Sequence, residues 1–258
     1  MCTVVILRRP GHDWPLIFAA NRDEMNDRPW LGPGRHWPDR PHVTAGLDEL
    51  ASGSWLGLND DGVIAGVLNR PGSLGPDPDL RSRGELPLEA LDHSEAEAAA
   101  EALSMIDPAG YRPFNLAVAD ARKAFWLCSR GDGEPIRAAP VPDGLSMITA
   151  FDMNDEASPR IRRFKPRFEA SQPPDPEISG WAAWQALMGG TDEERADDPK
   201  SEPEEAMTFA TGTGFATVSS SLMALPTPGW MKEGSLVKPV WLFAPGAPDK
   251  APYGPIQL

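Results

Sequence analysis

Cysteine is nearly absent: Cys2 and Cys128 are the only two in a chain of 258 residues. Two thiols so far apart build no disulfide framework, which excludes the small stapled secreted class and makes a reducing cytoplasm the simplest expectation. Long apolar runs are missing too. No stretch approaches the ~20 residues that span a bilayer, and Arg8, Arg9 and Pro10 interrupt the first apolar run too early for a signal peptide. The expectation is a chain with no integral membrane segment. Basic residues are outnumbered, 24 Lys and Arg against 38 Asp and Glu, for a formal net charge of -14. Phosphate contacts need clustered cations, so a generic nucleic-acid binder is disfavoured, as is docking on an anionic membrane. The four histidines, His12, His36, His42 and His93, are scattered without zinc-like spacing, and no metal site is expected. There is no P-loop, no dinucleotide-type glycine fingerprint and no Gly-x-Ser-x-Gly elbow.

What remains is organised around the N-terminus. Cys2 precedes a strand-like run, Thr3 to Leu7. A second run, Pro15 to Ala20, ends in Asn21-Arg22-Asp23-Glu24. If the two pair as a hairpin, this polar quartet returns to the end where Cys2 begins, and a thiol, a guanidinium and two carboxylates share one sheet rim. Removal of Met1 would give Cys2 an α-amine with a pKa of about 7.7–8.0. That amine can serve as base for the thiol of the same residue. Arg22 would favour the thiolate, Asp23 could hold the ammonium, and amides such as Asn21 or Asn69 could donate to an oxyanion. A plainer reading stays open, in which Cys2 is a small strand residue and the quartet an exposed turn with a local ion pair.

Further along, Asp27 to Pro41 reads as a polar loop and His42 to Gly46 as a short strand. Asn59-Asp60-Asp61-Gly62 is a hairpin signal between two apolar runs. Ser94 with Glu97 reads as a capping box opening an Ala-rich helix. Phe114 to Ala119 and Ala124 to Cys128 read as strands, and the buried amide of Asn115 demands partners. Ser158-Pro159 reads as an N-cap and first helical position, with Ile161, Phe164 and Phe168 on one face. Trp181, Trp184, Leu187 and Met188 suggest another short helix. Late strands are expected over Phe215 to Leu225 and Leu236 to Phe243. Ser82-Arg83-Gly84-Glu85-Leu86 reads either as an ordinary helix entry or as one whose arginine meets an anion. Residues 191–205 form an acidic stretch without apolar periodicity, read as a surface insertion within a single domain spanning 1–258. The class is α+β with mostly antiparallel strands, in one sheet or in two packed sheets.

Six segments occur in order: Met1-Cys2-Thr3, Phe18 to Glu24 with Arg28-Pro29, Ser54-Trp55-Leu56-Gly57, Leu68-Asn69, Ser82 to Leu86, and Phe114-Asn115-Leu116. Together they resemble the NRDE family, also called the transport and Golgi organisation family. The resemblance implies a four-layer αββα sandwich similar to N-terminal-nucleophile hydrolases, with Cys2 as nucleophile and Asp23 holding its amine. The superfamily arginine usually stands three residues before that Asp, where this chain has Ala20, while Arg22 adjoins the Asp. The expected site is then Cys2, Asp23 and Arg22 as catalytic residues, with oxyanion or substrate contacts from Asn21, Glu24, Asn69 and Asn115. The expected activity is cleavage of an amide or an acyl ester or thioester, without a cofactor. The alternative is a non-catalytic binding or trafficking protein for haem or an acyl lipid on the same fold. Two further departures stand out. The family tends to carry Gly-Leu-Ser-Asn where this chain has Gly144-Leu145-Ser146-Met147, with Asn154 as a possible replacement. It tends to carry Thr-Arg where this chain has Thr217-Val218.

Overall fold

The computed structural model describes residues 2–75, 77–178, 180–191 and 205–258. Two antiparallel sheets carry the chain. The first runs in the order β10 (Gly144–Ile148), β1 (Thr3–Arg8), β2 (Leu16–Met25), β11 (Phe215–Leu225), β14 (Val240–Ala244), β15 (Gly254–Pro255). The second runs in sequence order through β3 (Trp30–Gly34), β4 (Val43–Asp48), β5 (Leu56–Asn59), β6 (Ile64–Asn69), β7 (Phe114–Ala119), β8 (Ala124–Ser129) and β9 (Arg137–Pro140). A two-stranded ribbon, β12 (Met231–Lys232) and β13 (Ser235–Leu236), stands apart. The helices are α1 (Glu85–Leu91), α2 (Ala96–Ser104), α3 (Pro159–Ala170) and α4 (Ala182–Met188).

The period-2 alternation of strands builds three cores from these elements. On β1 and β2, Val4, Ile6, Leu16 and Phe18 face inward. There they meet Leu56, Leu68, Ala117, Trp126 and Cys128 of the other sheet, together with Met223 and Trp241. The alternate residues Val5, Ile17 and Ala19 face outward under α3 and α4, packing on Phe164, Phe168, Trp184 and Met188. On the far side, Leu116, Val118 and Leu127 pack under α1 and α2, on Leu86, Leu91, Ala99 and Leu103. The order helix, sheet, sheet, helix is the expected four-layer αββα sandwich.

Several local expectations need correction. Asp27 to Pro41 is not all loop, because Trp30–Gly34 forms β3. Pro33 within it is tolerated since β3 is an edge strand, with no partner to one side among the described residues. β9 and β10 are edge strands too, and neither carries a long apolar alternation. α2 is not capped by Ser94. Its first amide, Ala96 N, donates to the Asp120 carboxylate at 2.9 Å, so the cap comes from the β7–β8 turn. Ser158 and Pro159 open α3 as read. The acidic stretch 191–205 lies, from 192 to 204, outside the described residues.

Asn115 is a strut between layers. Its amide donates to the carbonyls of Thr149 and Phe151 at 2.8 Å each. Its oxygen accepts from Arg70 Nη1 at 2.7 Å and Trp126 Nε1 at 3.1 Å. All four contacts are lost in Asn115→Ala, leaving buried donors and acceptors unpaired. Urea unfolding should show a loss of about 2–3 kcal/mol; a loss under about 0.5 kcal/mol would contradict this role.

Candidate active site

β1 and β2 pair with Thr3 opposite Asn21, so Cys2 does lie at the rim where the polar quartet ends β2. The sulfur of Cys2 accepts from the backbone N–H of Asp23 at 3.3 Å, and the thiol donates to the Asp23 carbonyl at 3.6 Å. A thiolate would keep only the first of these bonds. Burial pushes the Cys2 thiol above its ordinary value, and the Asp23 carboxylate pushes the same way. The Asp23 N–H and Arg22 oppose them.

The alternation along β2 then separates the quartet. Asp23 turns its carboxylate to the outer face, where it is fully enclosed. One oxygen accepts from the Thr217 hydroxyl at 2.7 Å. The other accepts from Arg160 Nη1 of α3 at 3.1 Å, and the same nitrogen donates to Thr3 Oγ1 at 2.7 Å. A β-bulge on β11 between Thr217 and Ser219 brings the Thr217 hydroxyl to bear. The bulge residue is Val218, where the resemblance implies arginine. A guanidinium nevertheless reaches Asp23, from α3 rather than from the late strand.

Arg22 turns to the cavity side. Its guanidinium lies 4.1 Å from the Trp55 ring centroid and 5.9 Å from that of Trp30. Trp55 can lie there because residue 46 is glycine: a Cβ on Gly46 would stand 2.3 Å from the indole. Arg22 Nη2 is 3.6 Å from the Asp48 carboxylate and 3.8 Å from that of Glu24. Arg28 approaches the same two carboxylates, at 2.7 Å and 3.8 Å. Burial lowers the Arg22 guanidinium from its ordinary value, while Glu24, Cys2 and Asp48 hold it charged.

A cavity of about 390 Å³ opens at this rim. Cys2, Arg22, Asp23, Glu24 and Asn69 line it, so five of the seven expected site residues meet at one place. Asn69 ends β6 half-buried, and its carboxamide makes no hydrogen bond among the described residues. The other two amides are not brought to this cavity. Asn21 turns outward and donates to the carbonyls of Met188 at 3.0 Å and Met207 at 2.8 Å. Asn115 is the strut described above. Asn154 does return to Met147, adopting φ 59° and accepting from the Met147 N–H at 2.9 Å. Its amide donates to Ser146 Oγ at 3.2 Å, away from the cavity lining.

Arg160, Thr217, Trp55 and Asp48 are the parts sequence reasoning missed. For Arg160 a signal existed: it sits four and eight residues before Phe164 and Phe168, on the apolar stripe of α3. Arg160→Met removes a buried partner of Asp23, and breaking a buried pair costs about 3–5 kcal/mol. Thermal unfolding should register that loss, and wild-type stability in this variant would show that Asp23 does not depend on the pair.

A family model described as Transport and Golgi organisation 2 matches residues 1–204. A search of curated proteins finds no match. Among solved structures, one similar fold is a Caenorhabditis elegans N-acylethanolamine-hydrolyzing acid amidase ortholog. It has a TM-score of 0.54 at 13% identity, covering 88% of this chain and 94% of that one. Another is a conjugated bile acid hydrolase from Clostridium perfringens, with a TM-score of 0.50 at 10% identity, covering 100% of this chain and 97% of that one. At such identities the likeness is one of fold, and the fold is that of N-terminal-nucleophile hydrolases. Because the family model spans most of the sequence, the chain belongs to the Transport and Golgi organisation 2 family.

Proposed function

We propose that the protein is an N-terminal-cysteine hydrolase that cleaves an amide or an acyl ester or thioester. The observation that carries this reading is the placement of Cys2. Cys2 lines the cavity, and Asp23, whose backbone bonds its sulfur, is fixed beneath it by Thr217 and Arg160. The hydrolase-type fold agrees with it.

Once Met1 is removed, the α-amine of Cys2 takes the thiol proton, and the thiolate attacks the substrate carbonyl carbon. The carbonyl π electrons move to oxygen, and Asn69 with nearby backbone N–H groups donates to that oxyanion. Collapse re-forms the carbonyl and breaks the bond to the leaving nitrogen, oxygen or sulfur, which takes its proton from the α-ammonium. Water then attacks the acyl-cysteine, gives its proton to the amine and releases the acid and the thiol. Asp23 positions the ammonium, and Arg22 stabilises the thiolate from the cavity side. A buried, clamped carboxylate suits that task because it does not reorganise during the reaction.

A second reading has its own support. Burial and Asp23 both raise the thiol, so a Cys2 still capped by Met1 stays protonated and the cavity holds a ligand without turning it over. An acyl chain or a haem would then be bound rather than cleaved.

Two outcomes are expected. Against a panel of acyl amides and thioesters, processed protein should turn over at least one, and Cys2→Ala should lose at least about 100-fold in kcat with an unchanged melting temperature. Turnover retained in Cys2→Ala removes the mechanism. In the Met1-retaining form, raised thiol titration means less thiolate at any given pH. Alkylation of Cys2 by iodoacetamide should therefore rise with a midpoint above the ordinary 9.0; a midpoint at or below that value contradicts the electrostatics described.

A further inference from the structure

Five arginines line the cavity: Arg22, Arg28, Arg81, Arg83 and Arg112. Four have a carboxylate within 4 Å. Arg22 and Arg28 share Asp48 and Glu24. Arg81 meets Glu85 at 2.6 Å and Glu89 at 2.7 Å. Arg112 lies 3.6 Å from Asp77. Arg83 has no carboxylate partner among the described residues. In a chain with 38 carboxylates and only 24 Lys and Arg, a partly buried guanidinium left without one is unexpected on composition alone.

Arg83 is nonetheless held in place. Its Nη1 donates to Ser73 Oγ at 2.8 Å and to the Pro113 carbonyl at 3.0 Å. The turn that carries it is pressed backbone to backbone on residues 53 and 54. Ser54 N donates to the Gly84 carbonyl at 2.8 Å, and a Cβ on Gly53 would stand 2.5 Å from the Gly84 carbonyl carbon. Nε and Nη2 make no hydrogen bond among the described residues, and neither is a buried orphan. Burial and then the neighbouring Arg112 push this guanidinium down to about 10. Two guanidinia close together in a partly dry wall, one of them preorganised with idle donors, match the way proteins bind carboxylate and phosphate.

We propose that Arg83 is a specificity-determining residue of this cavity, with Nε and Nη2 donating to an anionic carboxylate or phosphate group on the same ligand whose acyl carbonyl meets Cys2. This rests on the hydrolase reading for the carbonyl, but the anion subsite exists whether or not the bond is cleaved. The neutral part of the ligand then lies between Arg83 and Cys2, with Val67, Trp55 and Leu80 among its apolar neighbours in the lining. The acid excess elsewhere on the protein repels anions generally, so selectivity concentrates at this one wall.

The test is calorimetric titration of full-length Cys2→Ala protein with hexanoate, hexyl phosphate and hexanol. Saturable binding of an anionic probe is expected, at least about 10-fold tighter than hexanol. The same probe should bind at least about 10-fold more weakly once Arg83→Met is added, with Arg83→Lys in between. Preference for hexyl phosphate over hexanoate assigns a phosphate group, and the reverse assigns a carboxylate. Hexanol binding as tightly as the anions, or Arg83→Met binding like its parent, overturns the proposal. Since Arg83 also holds Ser73 and Pro113, phenylglyoxal modification of unsubstituted Arg83 provides a variant-free measurement. The preferred anion should protect the Arg83 peptide, and labelling at an undiminished rate overturns the proposal. Anion binding in a protein that turns over no substrate would retain this subsite and remove hydrolysis alone.

Discussion

The buried pair of Asp23 and Arg160 is the contact on which the rest of the rim depends. It joins β2 of one sheet to α3 of an outer layer, and Thr217 of β11 closes the carboxylate from the other side. Its net worth to stability need not be large, because desolvating two charges offsets much of their attraction. Its consequence is geometric. With the Asp23 carboxylate fixed outward, the backbone of Asp23 is fixed too, and that backbone holds the Cys2 sulfur through both its N–H and its carbonyl. A charged clamp in the outer layer thereby sets the position of a thiol at the cavity.

The cavity side is organised on different terms. Arg22 is stabilised by an aromatic platform and by carboxylates shared with Arg28, so its charge is spread over a network rather than matched in a single pair. Trp55 lies against Gly46 because no side chain stands there, and its ring there meets Arg22 at the end of β2. The resulting wall holds positive charge close to the sulfur while the surface at large is acidic. Arg83 extends that wall without a carboxylate of its own among the described residues, which distinguishes it from its neighbours.

The sheet rim was legible in the sequence because β1 and β2 are two apolar runs joined by a polar turn, and pairing them as a hairpin brings the end of β2 to the start of β1. Less of the site was legible. Asn21 was placed with Arg22 by adjacency, yet consecutive strand residues point to opposite faces, and Asn21 is spent on carbonyls of Met188 and Met207. Asn115 demanded partners and is spent on Thr149, Phe151, Arg70 and Trp126, away from the cavity lining. Arg160 shares the apolar stripe of α3 with Phe164 and Phe168, and an arginine at that spacing was a sign, diluted by three further arginines on the same helix, that a buried partner awaited it. β3, β9 and β10 were hidden because edge strands need neither a second apolar face nor freedom from proline and glycine.

The central claim is that Cys2 works as an N-terminal nucleophile at a site the fold has already built. It is tested most directly by the intact mass of the protein isolated from its native host. The account predicts a mass lacking Met1, which leaves the α-amine of Cys2 available as base. A mass that retains Met1 would contradict it, since the amine that moves the proton would then be locked in a peptide bond.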